Sequence, residues 1–322
     1  MISGYTDEQF IAIWMEHLSA SKVAQEMGID VRKVYEKRAM IQESTGTVLP
    51  SNSAIGKYKI VIPPNKMRIN VDMSDGAFIV FSDAHFWPDV ESIAFRGLVK
   101  LIGDIKPKMI IANGDIFDGA MISRHPRIGY ERKPTVKEEL AAVQEALTEI
   151  ENACKGHGTR LLRTIGNHDI RFDSKLSNDS PEYEGVSGMC LDDHLPFWKS
   201  AWSVMINEGT THPVMVKHRW HNGIHATYNN ALKGGVSIFT GHLHALGMTR
   251  YSDYRGTRYG VDTGTLSDPW GPQFHYMEDN SRNWRSGFAV GTIHDSVLMP
   301  PEFCEVINDH EVWWRGKAIE VY

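Results

Sequence analysis

The sequence predicts an α/β protein: a layered domain of strands and helices preceded by a small all-helical unit. Strand-like apolar runs alternate with helical ones between residues 77 and 165. The first 45 residues show only helical periodicity, and a stretch rich in Ser, Thr, Gly and Pro follows them. The expected division is therefore a helix-turn-helix-like unit over 1–45, a linker with leading strands over 46–75, and the layered domain over 76–322.

In chain order, Thr6 and Gln9 form a capping box ahead of a helix whose apolar face holds Phe10, Ile11, Ile13 and Trp14. A second helix around Ser21–Met27 stops at Gly28, and Asp30 caps a third through Val31, Val34, Tyr35 and Met40. Ala24, Gly28 and Val34 fit helix-turn-helix spacing, although Lys37 stands where an apolar residue is usual. Arg32, Lys33, Lys37 and Arg38 would give the third helix a basic face for DNA phosphates. The competing expectation is a helical arm for oligomerisation or for docking a protein partner. Strands are expected at Tyr58–Ile62, Met67–Val71, Ala77–Ser82, Met109–Ala112, Leu161–Ile165, Val214–Lys217 and Val236–Thr240, with helices at Ile93–Asp104 and Thr135–Cys154. The last 70 residues read as irregular loops, then antiparallel strands near Gly287–His294 and Val312–Val321. The aromatic group Trp270, Phe274, Tyr276, Trp284 and Phe288 is expected to pack a core, with base stacking as the alternative.

Composition narrows the class. No run of about 18 apolar residues occurs, and the first residues lack the basic and apolar regions of a secretion signal, so a cytoplasmic protein away from membranes is expected. Cys154, Cys190 and Cys304 are far apart and odd in number, which argues against a disulfide framework or a zinc knuckle. The net charge of -6 is uneven: residues 1–70 carry nine Lys or Arg against seven Asp or Glu, +2, leaving -8 for the rest. A uniformly basic nucleic-acid coat is thereby disfavoured.

The chemistry is concentrated where strand-like runs end. Ala77–Ser82 runs into Asp83-Ala84-His85, Met109–Ala112 into Asn113-Gly114-Asp115, and Leu161–Ile165 into Gly166-Asn167-His168-Asp169. Val214–Lys217 runs into His218, and Val236–Thr240 into Gly241-His242-Leu243-His244. Open α/β sheets place their sites at such carboxyl ends. Residues two apart in an extended or turning segment can face one way, so each pair can reach one ion or two adjacent ones. Imidazole, carboxylate and amide donors without thiolate suit manganese, iron or zinc, and seven candidates exceed what one catalytic ion uses. Manganese is the favoured identity, with iron, zinc or magnesium as alternatives. His218 ends its run directly and is preferred as the ligand there; His221 stays open, and His125, His221 and His225 are otherwise read as structural.

In order and type, these segments resemble the motif set of the calcineurin-like metallophosphoesterases, over about residues 77–250. The resemblance implies a four-layer α/β/β/α sandwich. It further implies that Asp83, His85 and His244 hold one divalent ion, that Asn167, His218 and His242 hold a second, and that Asp115 bridges them. His168 would be the general acid and Asp169 the residue that orients it, with Asp118 behind the ligands. A water shared by two cations about 4 Å apart is a nucleophile for in-line attack at neutral pH. Ser123, Arg124 and Arg171 are candidate phosphate contacts, since guanidinium forks match phosphate oxygens. Ser123-Arg124, Asn283-Trp284 and Gly287-Phe288 resemble bacteriophage members of the family, which implies a bacterial or phage-infected host cytoplasm. The expected substrate is a phosphate ester, DNA first, with small nucleotides or phosphoproteins as the alternative. A DNA-binding protein with an inactive phosphoesterase domain is the remaining class.

Overall fold

The computed structural model describes residues 4–47, 49–50, 67–125 and 128–322. The expected strand Tyr58–Ile62 lies outside them. Two compact units divide the chain, Met1–Val61 and Ile62–Tyr322.

In the first unit, α1 (Asp7–His17) begins with the capping box, in which the Thr6 side chain accepts from Gln9 N and the Gln9 side chain accepts from Thr6 N. Helix α2 (Ala20–Met27) ends at Gly28, whose φ of 64° is the left-handed C-cap that glycine adopts without strain. Asp30 caps α3 (Val31–Thr45) by accepting from Arg32 N at 2.8 Å. Phe10, Trp14, Val23, Val34, Ile41 and Leu49 form a core of their own. One expectation needs correction here. Lys37 pairs with Asp7, and the Arg38 guanidinium stacks 4.6 Å over Trp14 while its Nε donates to Leu49 O at 2.8 Å. Only Arg32 and Lys33 of the expected basic face are exposed.

The second unit opens with β1 (Arg68–Val71), β2 (Gly76–Phe81), α4 (Ile93–Ile105), β3 (Met109–Asn113), α5 (Val136–Ala153) and β4 (Arg160–Thr164). It continues through α6 (Ile170–Asp179), β5 (Lys199–Ala201), β6 (Ser203–Ile206), β7 (Val214–Val216), α7 (Ala226–Gly234) and β8 (Ser237–Thr240). Seven further strands follow, β9 (Gly247–Asp253), β10 (Gly256–Asp262), β11 (Gly287–His294), β12 (Val297–Leu298), β13 (Glu302–Val306), β14 (Glu311–Trp314) and β15 (Lys317–Glu320); a 3-10 helix, Pro272–Met277, lies between β10 and β11.

These strands form two sheets. One runs β1-β6-β7-β8-β10-β9; the other runs β15-β14-β13-β11-β2-β3-β4-β5, with β12 on β11. β2, β3, β4 and β5 pair in parallel, and β11 joins them antiparallel through β2. Side chains alternating along β2 and β3 explain the layering. Phe78, Val80, Met109 and Ile111 face the other sheet, meeting Val204, Val216, Phe239 and Val261. Ile79, Phe81, Ile110 and Ala112 face α4 and α5, meeting Leu98, Leu101, Val143 and Leu147. Helix α7 packs on β8, β9 and β10. The result is the four-layer α/β/β/α sandwich, and within it the strand ends converge at one edge. Among the described residues, no helix is long and apolar enough to cross a membrane.

Candidate metal centre

The site is assembled by loops leaving β2, β3, β4, β7 and β8. These loops are tied to one another before any side chain is considered: Asp83 N donates to Gly114 O at 3.0 Å, and His85 N donates to Asp115 O at 2.9 Å. Asp169 uses its carboxylate as a brace, accepting from the backbone N–H of Asp115, Ile116, Phe117 and Gly166 at 2.9–3.2 Å. Asp83, His85, Asp115, His242 and His244 all have left-handed backbone, with φ between 39° and 72°. Such a conformation is rare for residues with a Cβ, and a run of it at one site is local strain that the surrounding bonds hold in place. Two glycines allow the close approach. A Cβ on Gly166 would sit 2.1 Å from Asp115 Oδ1, and one on Gly114, at φ +80°, would sit 2.6 Å from the His218 ring.

Six of the seven expected ligands fall into two clusters. Asp83, His85 and His244 form one cluster whose ligand atoms lie within 4.8 Å of one another, and Asp115, His218 and His242 form another. Of the two open alternatives, His218 has its Nε2 3.1 Å from Asp115 Oδ2, and His221 joins neither cluster. His218 Nδ1 lies 2.8 Å from Asn113 O, a contact that fixes the ring with Nε2 toward Asp115. His85 is held the same way, Nδ1 at 2.9 Å from Asp118 Oδ1. Among the described residues, Asn167 Oδ1, His218 Nε2 and His244 Nδ1 are buried without a hydrogen-bond partner. Orphaned buried polar atoms are costly, and bound cations would offset that cost. The donor set fits a pair of divalent ions.

Electrostatics favour cations. Burial works against a charged Asp83, yet His244 and His218 outweigh it and hold the carboxyl at about 2. Asp115 is likewise depressed well below the ordinary range, chiefly by His218 against burial. Burial opposes protonation of His218, but Asp115 and Asp83 push its pKa up to about 10. Two buried carboxylates kept ionised make a cation trap.

Beside the clusters stands His168. Its Nδ1 lies 2.8 Å from Asp118 Oδ1, the oxygen that also faces His85 Nδ1. The expectation that Asp169 orients His168 is corrected here, because Asp169 is committed to backbone N–H groups and Asp118 faces the ring instead. Burial lowers the His168 pKa, but the Asp118 and Asp115 carboxylates raise it above the ordinary imidazole value overall. Arg171 donates from Nη1 to Asp118 O at 2.8 Å, and its Nη2 lies 3.2 Å from His168 Nε2. A cleft of about 950 Å³ opens on this side, lined by His168 and Arg171 and by the expected phosphate contacts Ser123 and Arg124.

Several contributors carried no sequence signal. Glu139, from α5, accepts from Gly119 N and Ala120 N and so shapes the loop after Asp118. Asp262 accepts from Ala245 N and Gly264 N just behind His244. Both depend on sequence-distant partners, which is why spacing did not single them out. The aromatic group splits. Phe288 and Phe274 are buried as expected, whereas Trp270 and Tyr276 are 69% and 51% exposed. Trp284 packs 4.4 Å from the His244 ring, and Phe274 lies 5.2 Å from the His85 ring, so these two wall the centre. His125 lines the cleft, His221 packs against Trp220, and His225 caps α7.

The chain is 24% identical over 262 residues to the Gene 54 protein of Mycobacterium phage L5, covering 73% of this chain and 97% of that protein. It is 22% identical to the Gene 54 protein of Mycobacterium phage D29, again over 73% and 97%. Among solved structures, a dimetal phosphatase from Danio rerio aligns over 71% of this chain and 95% of its own, at 9% identity and a TM-score of 0.33. The model of the calcineurin-like phosphoesterase family matches residues 76–262, more than half of the chain and every segment that builds the clusters, and the chain belongs to that family.

Proposed function

We propose that this phosphoesterase is a phosphodiesterase that cleaves DNA, with residues 1–45 bringing it to the substrate and residues 76–322 carrying out hydrolysis. The carrying observation is the pair of clusters with three orphaned ligand atoms, beside an open cleft and a His168 whose pKa the Asp118 and Asp115 carboxylates raise. Asp83, His85 and His244 would hold one divalent ion and Asn167, His218 and His242 the other, with Asp115 shared between them. When bound, such ions polarise phosphoryl oxygens and make water a stronger acid. The side chains do the rest. His168, kept protonated by Asp118, gives its proton to the leaving oxygen. Arg171 steadies His168 and, with Ser123 and Arg124, takes phosphate oxygens in the cleft. Arg32 and Lys33 remain for a DNA backbone.

A substrate panel tests this reading: a phosphate monoester, a small chromogenic diester, cyclic nucleotides, and single- and double-stranded DNA, each with manganese, magnesium or zinc, and with metal analysis of the same sample. Cleavage of DNA and of the diester is the expected result. Turnover of monoesters alone, with DNA intact, rejects it. A second reading, a phosphatase or phosphodiesterase for small nucleotides or phosphoproteins docked through the N-terminal helices, is favoured by the inward-turned Lys37 and Arg38. The exposed Met15, Tyr35 and Met40 on that unit point the same way.

A further inference from the structure

We propose that the cleft beside His168 is a strand-binding subsite, which takes two to three nucleotides of single-stranded DNA on the leaving-group side of the scissile phosphate. This rests on the phosphodiesterase reading above and assigns new residues to it. Helix α6 starts at Ile170, two residues beyond His168. Its Phe172 is buried, while Arg171, Ser174, Lys175 and Asn178 all line the cleft. Their spacing, i, i+3, i+4 and i+7, makes one face of the helix. At 1.5 Å per residue that row is about 10 Å long, which matches a short stretch of strand only.

The chemistry of the row suits a polyanion. Lys175 pairs with Asp179 at 2.5 Å, but both side chains are about half exposed, so the pair is weak and yields to a phosphate at little cost. Tyr276 and Arg219 line the same cleft. Tyr276 is 51% exposed, its ring 6.4 Å from Phe274, which itself packs against His85 and His244. The tyrosine is therefore a braced aromatic surface in reach of a base whose phosphate lies at the centre. Because His168 protonates the leaving oxygen, the strand that extends from that oxygen is the one that meets α6. A phosphopeptide would place its single phosphate at the centre and leave the cations of α6 unmatched.

The test compares bis(p-nitrophenyl) phosphate with thymidine oligonucleotides of two, four and eight residues, using the full chain loaded with manganese. Wild-type kcat/KM should rise from the dinucleotide to the tetramer and then level off. Lys175→Gln and Tyr276→Ala should each lower kcat/KM on the octamer by about tenfold, mainly through KM, and leave the chromogenic diester within about twofold of wild type. Lys175→Gln should also lower the salt slope of octamer binding by about one. Equal losses on both substrates would show a structural role and overturn the proposal, as would an octamer rate insensitive to either change or a phosphopeptide preferred with the same sensitivity. Turnover of the diester with every oligonucleotide intact sinks the subsite alone. Turnover of neither substrate sinks the hydrolase reading with it.

Discussion

Asp115 joins two parts of the centre: its Oδ2 faces His218 at 3.1 Å and its Oδ1 accepts from His168 N at 2.7 Å. Its φ of 54° also limits what can replace it. Asparagine tolerates left-handed backbone and keeps the shape, so Asp115→Asn removes charge with little strain. We expect kcat on a chromogenic diester to fall at least about a hundredfold, with the melting temperature changing by only a few degrees; a variant near wild-type rate would remove Asp115 from the chemistry. His168 makes a different prediction, because a proton donor matters in proportion to the basicity of the leaving oxygen. His168→Gln should slow cleavage of an alkoxide-leaving nucleotide diester by about a hundred- to ten-thousandfold and cost far less with p-nitrophenoxide. Equal losses on the two substrates would make His168 a structural residue.

At the scale of elements, what the sequence shows is what local rules govern. β2, β3 and β4 are short apolar runs ended by polar residues, and α4 and α5 are long helices begun by Ser92 and Thr135, so period and cap agree. The five strand ends were legible for the same reason: ligand residues sit in sequence beside the runs that carry them. Helix α6 was not, because it buries only Phe172 and spends its other faces on polar residues that show no apolar stripe. Helix α7 and strands β9 and β10 escaped too, since β10 takes its register from β8 and β9 rather than from any pattern of its own. Trp270 and Tyr276 could not be told from core aromatics until loop geometry exposed them. Glu139 shows how an element far in sequence acts on the site, and it titrates in a useful range. Burial raises its carboxyl from 4.5 to about 7, with Asp118's charge adding to the shift. Between these values the folded chain holds a proton that the unfolded chain has released, so stability falls as pH rises from about 4.5 to 7, by on the order of 3 kcal/mol. Glu139→Gln carries no such titration. The melting temperature of wild type minus that of the variant should therefore drop by several degrees over this window; a flat difference would show that Glu139 is not the titrating group.

Over the whole molecule, charge and cohesion are divided unequally. The first 70 residues carry +2 and the rest -8, while Asp83 and Asp115 are buried carboxylates held ionised beside one another. Ions bound only by the folded state stabilise it by mass action, about 2.7 kcal/mol at a hundredfold excess over Kd. Chelation should therefore lower the melting temperature by roughly 5–10 °C as well as abolish turnover, and manganese should restore both; restored stability without restored turnover would mean that the ions are structural. The N-terminal helices have their own core, built on Phe10, Trp14 and Val34, and the layered unit has two others. A chain truncated by residues 1–45 should keep its kcat/KM on a small chromogenic diester within about twofold, because every candidate ligand lies beyond residue 80. If Arg32 and Lys33 contact DNA, truncation should weaken binding of a long duplex and reduce its salt slope by about two, one for each lost phosphate contact. With Lys37 and Arg38 committed to Asp7, Trp14 and Leu49, a larger loss of slope is not expected. Unchanged duplex affinity after truncation would move these helices from DNA to a protein partner, since their exposed Met15, Tyr35 and Met40 would then be the surface left to explain.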